Sequence, residues 1–405
     1  MLGSDHDRIG GSRREFLRTA AIAGGSAALA TSGAATAAPA PLPMVTLGKT
    51  GQKVPALGMG TSWSVAPSFV QAALASGIRY IDTSESYEGG ASERTLGEVI
   101  ARTGKRKDVY LVTKNSRRKI GGPGAFAAYE QRLNASLERL KTDYVDCYYL
   151  HGVTGKEIPL FSDPDVKAAF EKLKKSGKIR FCGLSCHDKM LPEIVTAAAE
   201  CGWIDQIMIQ YNYRTMNGDA IRRALDAALK ANLGLIAMKS QAGAESFPAP
   251  DQAPAPLRPM IEKGFNQPQA AIKAIFAEHR MQAVVSEMTN RDQLRENLAA
   301  VSNPVLSIRD QERLEEYRQA TAHLYCHGCG QHCEPAAGGV QVAEILRYLR
   351  YDEIYGKRTR ARELYQALSP EARDIARTDL AAAQAACPHG LPVVDLLRRA
   401  DDRLG

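Results

Sequence analysis

Tyr80-Ile81-Asp82-Thr83-Ser84-Glu85-Ser86-Tyr87 is the stretch that decides how this chain is read. A short apolar run closes on a carboxylate, and a tyrosine follows five positions after it. Two later runs end in the same manner, Val112-Thr113 on Lys114 and Tyr149-Leu150 on His151. Apolar runs of this length read as buried strands, and chemistry-bearing residues at or just past their ends belong at the C-terminal rim of a closed parallel barrel. Asp82, Tyr87, Lys114 and His151 then make a proton-relay set at that rim.

The rest of the chain repeats the pattern. Strand-like stretches fall at Leu57–Thr61, Tyr80–Thr83, Val109–Lys114, Val145–His151, Ile179–Ser185, Gln206–Gln210, Gly234–Lys239 and Ala283–Glu287. Between them lie amphipathic helical patterns such as Gly124–Leu140, Val166–Lys175, Leu191–Cys201, Asp219–Ala231, Pro268–His279 and Arg291–Val301. Eight alternations predict an α/β fold, a (β/α)8 TIM barrel, over residues 41–303, with a small helical C-terminal extension over 304–405. No glycine-rich dinucleotide fingerprint follows the first strand, which argues against an open doubly wound sheet.

Residues 1–40 read as a processing signal. Ser12-Arg13-Arg14-Glu15-Phe16-Leu17-Arg18 is a twin-arginine box, the weakly apolar Ala20–Ala30 follows, and Ala35-Thr36-Ala37 offers a small-residue cleavage site. The apolar run is too short for a membrane span, and no cysteine lies near it to take a lipid. The expectation is a protein exported to the periplasm, with its mature end near Ala38 and no span after signal removal. The formal net charge of +7 is scattered, and its densest run, Arg117-Arg118-Lys119, has no interleaved aromatics. A nucleic-acid partner calls for a continuous basic face, so none is expected.

Four segments in order, VPALGMGT at Val54–Thr61, GIRYIDTSESYEGGASE at Gly77–Glu93, DVYLVTK at Asp108–Lys114 and DYVDCYYLHG at Asp143–Gly152, resemble the aldo-keto reductase superfamily. The resemblance runs from about Val45 to about Val301. It implies NADP or NAD held extended across the barrel mouth, and a small-molecule carbonyl or alcohol substrate. Matched residue by residue, it implies cofactor contacts from Gly60, Thr61, Ser185, Gln210, Met238, Glu296 and Asn297. Three positions depart from the family. Cys186 replaces the usual asparagine beside Ser185, and Met238 stands where a stacking tyrosine is usual. Gln293 stands where many members carry an arginine for the 2′-phosphate, with Arg291 and Arg295 nearby.

The chemistry asks for these residue types. Hydride delivered to a carbonyl carbon leaves charge on oxygen, which must be protonated as it forms. Tyr87 is the acid, and Lys114 is expected to draw its pKa down toward working pH, with Asp82 holding the lysine charged. His151 donates to the same oxygen. The alternative is a catalytically silent barrel that binds a ligand or a partner protein.

Beyond residue 304, half of the eight cysteines gather in Cys326-His327-Gly328-Cys329-Gly330-Gln331-His332-Cys333 and Cys387-Pro388. This resembles the ferredoxin-like extension of a branch of aldo-keto reductases that carries two iron–sulfur runs. Counting back from Cys387, the other ligand positions of a second run hold Ala383, Leu380 and Arg377, and none binds iron. The resemblance then implies one 4Fe-4S cluster on Cys326, Cys329, Cys333 and Cys387, although C-x2-C-x3-C is one residue longer than the usual spacing. Zinc, two disulfides and a decayed remnant are the competing readings. Nicotinamide is scarce outside the cytoplasm, so an exported reductase either carries its cofactor bound or meets a redox partner protein.

Overall fold

The computed structural model describes residues 41–62, 66–116, 120–242, 251 and 253–405. The signal region and the Arg117–Lys119 run lie outside the described residues. Eight parallel strands close a barrel: β3 (Leu57–Gly60), β4 (Tyr80–Asp82), β5 (Tyr110–Asn115), β6 (Val145–Leu150), β7 (Ile179–Cys186), β8 (Gln206–Gln210), β9 (Gly234–Met238) and β10 (Ala283–Glu287), which pairs back onto β3. Every strand pairs parallel with its neighbours, so this is the predicted (β/α)8 barrel. The surrounding helices are α1 (Pro67–Ala75), α2 (Ala91–Thr103), α3 (Ala125–Leu140), α4 (Pro164–Lys175), α5 (Leu191–Glu200), α6 (Asp219–Lys230), α7 (Arg258–Glu262), α8 (Gln267–Ala277) and α9 (Arg291–Ser302).

The register brings the strand ends level. Gly60 pairs with Asp82 and with Glu287, and Gln210 pairs with Met238, so residues far apart in sequence share one rim. Below that rim the barrel is filled by tyrosines. Tyr80 stacks on Tyr110 at 5.4 Å between ring centroids, and Gln206 bridges Tyr110 and Tyr149 with hydrogen bonds of 3.0 and 2.8 Å. Gly183 makes room for them, since a Cβ there would lie 2.6 Å from the Tyr149 ring and 2.4 Å from the Gln206 carbonyl oxygen.

An antiparallel hairpin that periodicity does not reveal, β1 (Met44–Thr46) and β2 (Lys53–Pro55), precedes the barrel. Its Leu47 and Val54 join the buried cluster of Tyr80, Tyr110 and Tyr149, closing the barrel floor. Gly48 sits at φ +43° with its Cα against the backbone of Asn232–Gly234, so no side chain fits there.

After the barrel come α10 (Ile308–Ala320), α11 (Gly330–Cys333), α12 (Val342–Glu353), α13 (Arg358–Gln366), α14 (Leu380–Ala385) and α15 (Val393–Leu404). Leu314 and Tyr317 of α10 belong to the main core. A second core, built on Ile345, Leu349, Tyr365 and Leu397, begins at Cys333. Among the described residues no helix is long and apolar enough to cross a membrane.

Candidate active site and cysteine cavity

Asp82 ends β4 and Lys114 lies on β5, both facing the rim and only 4% and 1% exposed. Lys114 Nζ donates to Asp82 Oδ2 at 2.6 Å, to the Thr83 carbonyl at 2.7 Å and to the Tyr87 hydroxyl at 3.1 Å. Tyr87 is presented by a tight turn in which Glu88, Gly89 and Gly90 all take positive φ, at 49°, 61° and 85°. Two consecutive glycines supply most of that conformation without strain. His151 follows β6, and its ring stands edge-on to Tyr87, 5.5 Å away and inclined at 81°. Ser116 and Ser84 hold its Nδ1 at 2.5 and 3.1 Å. The four residues predicted from sequence therefore meet.

The electrostatics differ from expectation. Burial, then the Asp82 carboxylate, Glu287 and Tyr351, push the Tyr87 phenol well above its ordinary value. Desolvation of the phenolate outweighs the help of Lys114, whose charge is already engaged at short range by Asp82. Burial likewise raises Asp82 and lowers Lys114, each opposed by the other's charge. Tyr87 is thus held as a protonated acid at neutral pH.

The positions matched to cofactor contacts divide into two groups. Gly60, Ser185, Gln210 and Met238 sit at or near the ends of β3, β7, β8 and β9 on the same rim. Ser185 Oγ accepts from the Gly152 N–H at 3.1 Å, and Cys186 beside it is buried. Thr61, Glu296 and Asn297 are engaged within the protein. Thr61 Oγ1 donates to the Asp82 carbonyl at 2.8 Å and contacts Ser92 Oγ at 2.7 Å, tying β3 to β4 and α2. Asn297 is 2% exposed, with its amide donating to Ser286 Oγ and its oxygen accepting from Gln241, both at 2.9 Å. Glu296 accepts from Asn266 at 3.1 Å.

The rim group carries the donor and acceptor types that a nicotinamide would need. Its carboxamide needs both a donor and an acceptor, which the Ser185 hydroxyl and the Gln210 amide provide. Asp82 Oδ1 is a buried acceptor without a hydrogen-bond partner, which a ribose hydroxyl would satisfy. Sequence reasoning gave no role to Glu287, whose Oε2 accepts from the Ser62 N–H at 3.0 Å and whose charge reaches both Tyr87 and Lys114. An acidic residue closing the last strand was the available signal.

Cys326, Cys329, Cys333 and Cys387 line one cavity, walled by Val342, Leu346, Leu391 and Val393 and flanked by His327 and His389. All four are thiols, and burial pushes Cys326 up to about 12. The two imidazoles stack at 3.6 Å. Among the described residues no three His, Cys, Asp or Glu side chains are placed to hold a single metal ion. A polynuclear cluster occupies more space than one ion, and four thiols around an otherwise apolar cavity are its donor chemistry.

A sequence model of the Aldo/keto reductase family matches residues 58–248. The uncharacterized oxidoreductase YqkF of Bacillus subtilis is 32% identical over 38% of this chain, which spans only 50% of that relative. The L-galactose dehydrogenase of Arabidopsis thaliana is 28% identical over 67% of this chain and 91% of its own length. Among solved structures, an aldo-keto reductase from Klebsiella pneumoniae in complex with NADPH superposes with a TM-score of 0.54 at 25% identity, covering 68% of this chain and 94% of that one. Over residues 58–248 the barrel of this chain is similar in sequence to the aldo/keto reductases, and its closed parallel fold is theirs as well.

Proposed function

We propose that this chain is an NAD(P)-dependent oxidoreductase that interconverts a carbonyl and an alcohol, with Tyr87 as the acid and base. The observation that carries the reading is the Lys114 ammonium placed between the Asp82 carboxylate and the Tyr87 hydroxyl, at 2.6 and 3.1 Å, beside the His151 ring. Gly60, Ser185, Gln210 and Met238 would hold a nicotinamide at the rim, and when bound it would supply the hydride. As the new C–H bond forms, the carbonyl π pair moves to oxygen and the Tyr87 hydroxyl gives that oxygen its proton. Lys114 faces the phenolate left behind, which recovers a proton from solvent. His151, fixed by Ser84 and Ser116, donates to the same oxygen and sets the angle at which the carbonyl approaches. The NADPH in the Klebsiella structure supports the cofactor class.

The same reading places one 4Fe-4S cluster on Cys326, Cys329, Cys333 and Cys387, and has the folded protein exported by the twin-arginine route. Both rest on sequence patterns, and the shared cavity of the four thiols supports the first. Tyr87→Phe tests the catalytic assignment. Removing the transferable proton should lower turnover by about a hundredfold or more while NADPH affinity holds. Near-normal turnover would remove Tyr87 from the mechanism. A wild type that binds neither NADPH nor NADH would favour the silent barrel.

A further inference from the structure

Helix α12 carries two functional faces. Val342, Ala343 and Leu346 line the cysteine cavity. Arg347 instead reaches the barrel rim, where its Nη1 donates to Nδ1 of His187, the residue after β7, at 2.6 Å. Arg347 Nη2 pairs with Glu344, which also accepts from the Tyr348 hydroxyl at 3.0 Å. One turn further on, Tyr351 is close enough to Tyr87 to influence its ionisation. Lys357 pairs with Glu88, the residue after Tyr87, at 2.9 Å, and Lys189 pairs with Glu334 at 2.6 Å. The extension therefore roofs the mouth of the barrel beside the proton donor.

Cations gather where that roof meets the rim. Burial, and then the Arg347 guanidinium, bring the pKa of Lys239, which follows β9, down to about 7, with the Glu344 carboxylate opposing them. His187 lies within the influence of Lys239, Arg347 and His151. The Arg347 side chain is 20% exposed, and its enclosed Nε has no acceptor. Desolvated cations held close to one another are costly, and an anion brought in by a ligand relieves that cost.

We propose that Arg347, His187 and Lys239 form a subsite for an anionic group on the substrate, so that the carbonyl compound this site takes is a small oxo acid. The proposal rests on the reductase reading and adds the substrate class to it. Its chemistry, a carboxylate on the carbonyl compound or the phosphates of the cofactor, has two sources that one experiment separates.

The substrates are 4-oxobutanoate and butanal, matched in chain length and differing in one carboxylate. Wild type should favour the oxo acid in kcat/KM. Arg347→Met should cut the ratio of the two values by about tenfold to a hundredfold, through KM, as the loss of a charge-assisted hydrogen bond predicts. Arg347→Lys should restore part of it. Equal losses on both compounds would mean a structural role and overturn the subsite. A tenfold weakening of NADPH binding with the ratio unchanged would assign the charges to cofactor phosphates and overturn it as well. If neither compound is reduced, calorimetric titration with succinate reads the subsite directly. Binding to wild type that Arg347→Met abolishes would uphold the subsite while the reductase reading fails, and no succinate binding would overturn it. Should circular dichroism show Arg347→Met misfolded, Lys239→Met carries the same measurements.

Discussion

Replacing Lys114 by Met removes the one ammonium at the centre of the site while keeping most of the side chain's bulk. Its Nζ makes three contacts, to Asp82 Oδ2, the Thr83 carbonyl and the Tyr87 hydroxyl. Without it the Asp82 carboxylate is left buried with neither oxygen paired, since Oδ1 already lacks a partner. Removing one member of a buried ion pair typically costs about 3–5 kcal/mol, a large part of the roughly 5–15 kcal/mol that holds a domain together. The sign of its pH dependence follows. Burial already raises Asp82, and the variant loses the lysine influences that oppose the rise. A carboxyl whose folded pKa exceeds its unfolded value favours the folded state at low pH and loses that contribution as pH rises through the folded value. The stability difference between variant and wild type should therefore be larger at pH 8 than at pH 5. Urea unfolding midpoints with their slopes measure it, and adding Asp82→Asn should recover most of the loss. A deficit below about 1 kcal/mol, equal at both pH values, would refute the dry, tightly coupled pair.

Gly183→Ala would place a Cβ within 2.6 Å of the Tyr149 ring, and overpacking of that kind should lower stability by about 1–3 kcal/mol in the same urea assay. Cys329→Ser and Cys387→Ser should each abolish bound iron and lower the melting temperature of the extension, as metal analysis and calorimetry read; stoichiometric zinc in wild type would replace the cluster assignment. Lys239, held down near 7, binds fewer protons folded than unfolded between there and its ordinary value. Stability should accordingly rise with pH across that window, and the rise should flatten in Lys239→Met.

The barrel and its relay set were legible because both depend on local patterns. Each strand is a short apolar run, and each of Asp82, Lys114 and His151 stands at or just beyond the end of one, so the parallel register alone gathers them. Where a side chain spends its hydrogen bonds was not legible. Thr61 and Asn297 match family contact positions, yet Ser92, Ser286 and Gln241, 11 to 56 residues away, decide their partners. The ionisation of Tyr87 is hidden from the sequence for a similar reason, since the burial that raises its pKa is a property of the whole fold. The β1–β2 hairpin is three residues a side, too short for a period to show. The placing of α12 over the mouth joins Arg347 to His187 across 160 residues, and no local pattern encodes such a contact.

The tyrosine stack inside the barrel has an optical consequence. Burial holds Tyr80, Tyr110 and Tyr149 well above the alkaline range in which an exposed phenol ionises. During an alkaline titration these rings stay in the neutral, weakly absorbing form for as long as the strands stay closed. Their phenolate absorbance then appears as one late cooperative step, and it reports the opening of the barrel rather than the acidity of any single group. The chain carries its own chromophore for barrel integrity, with no added dye.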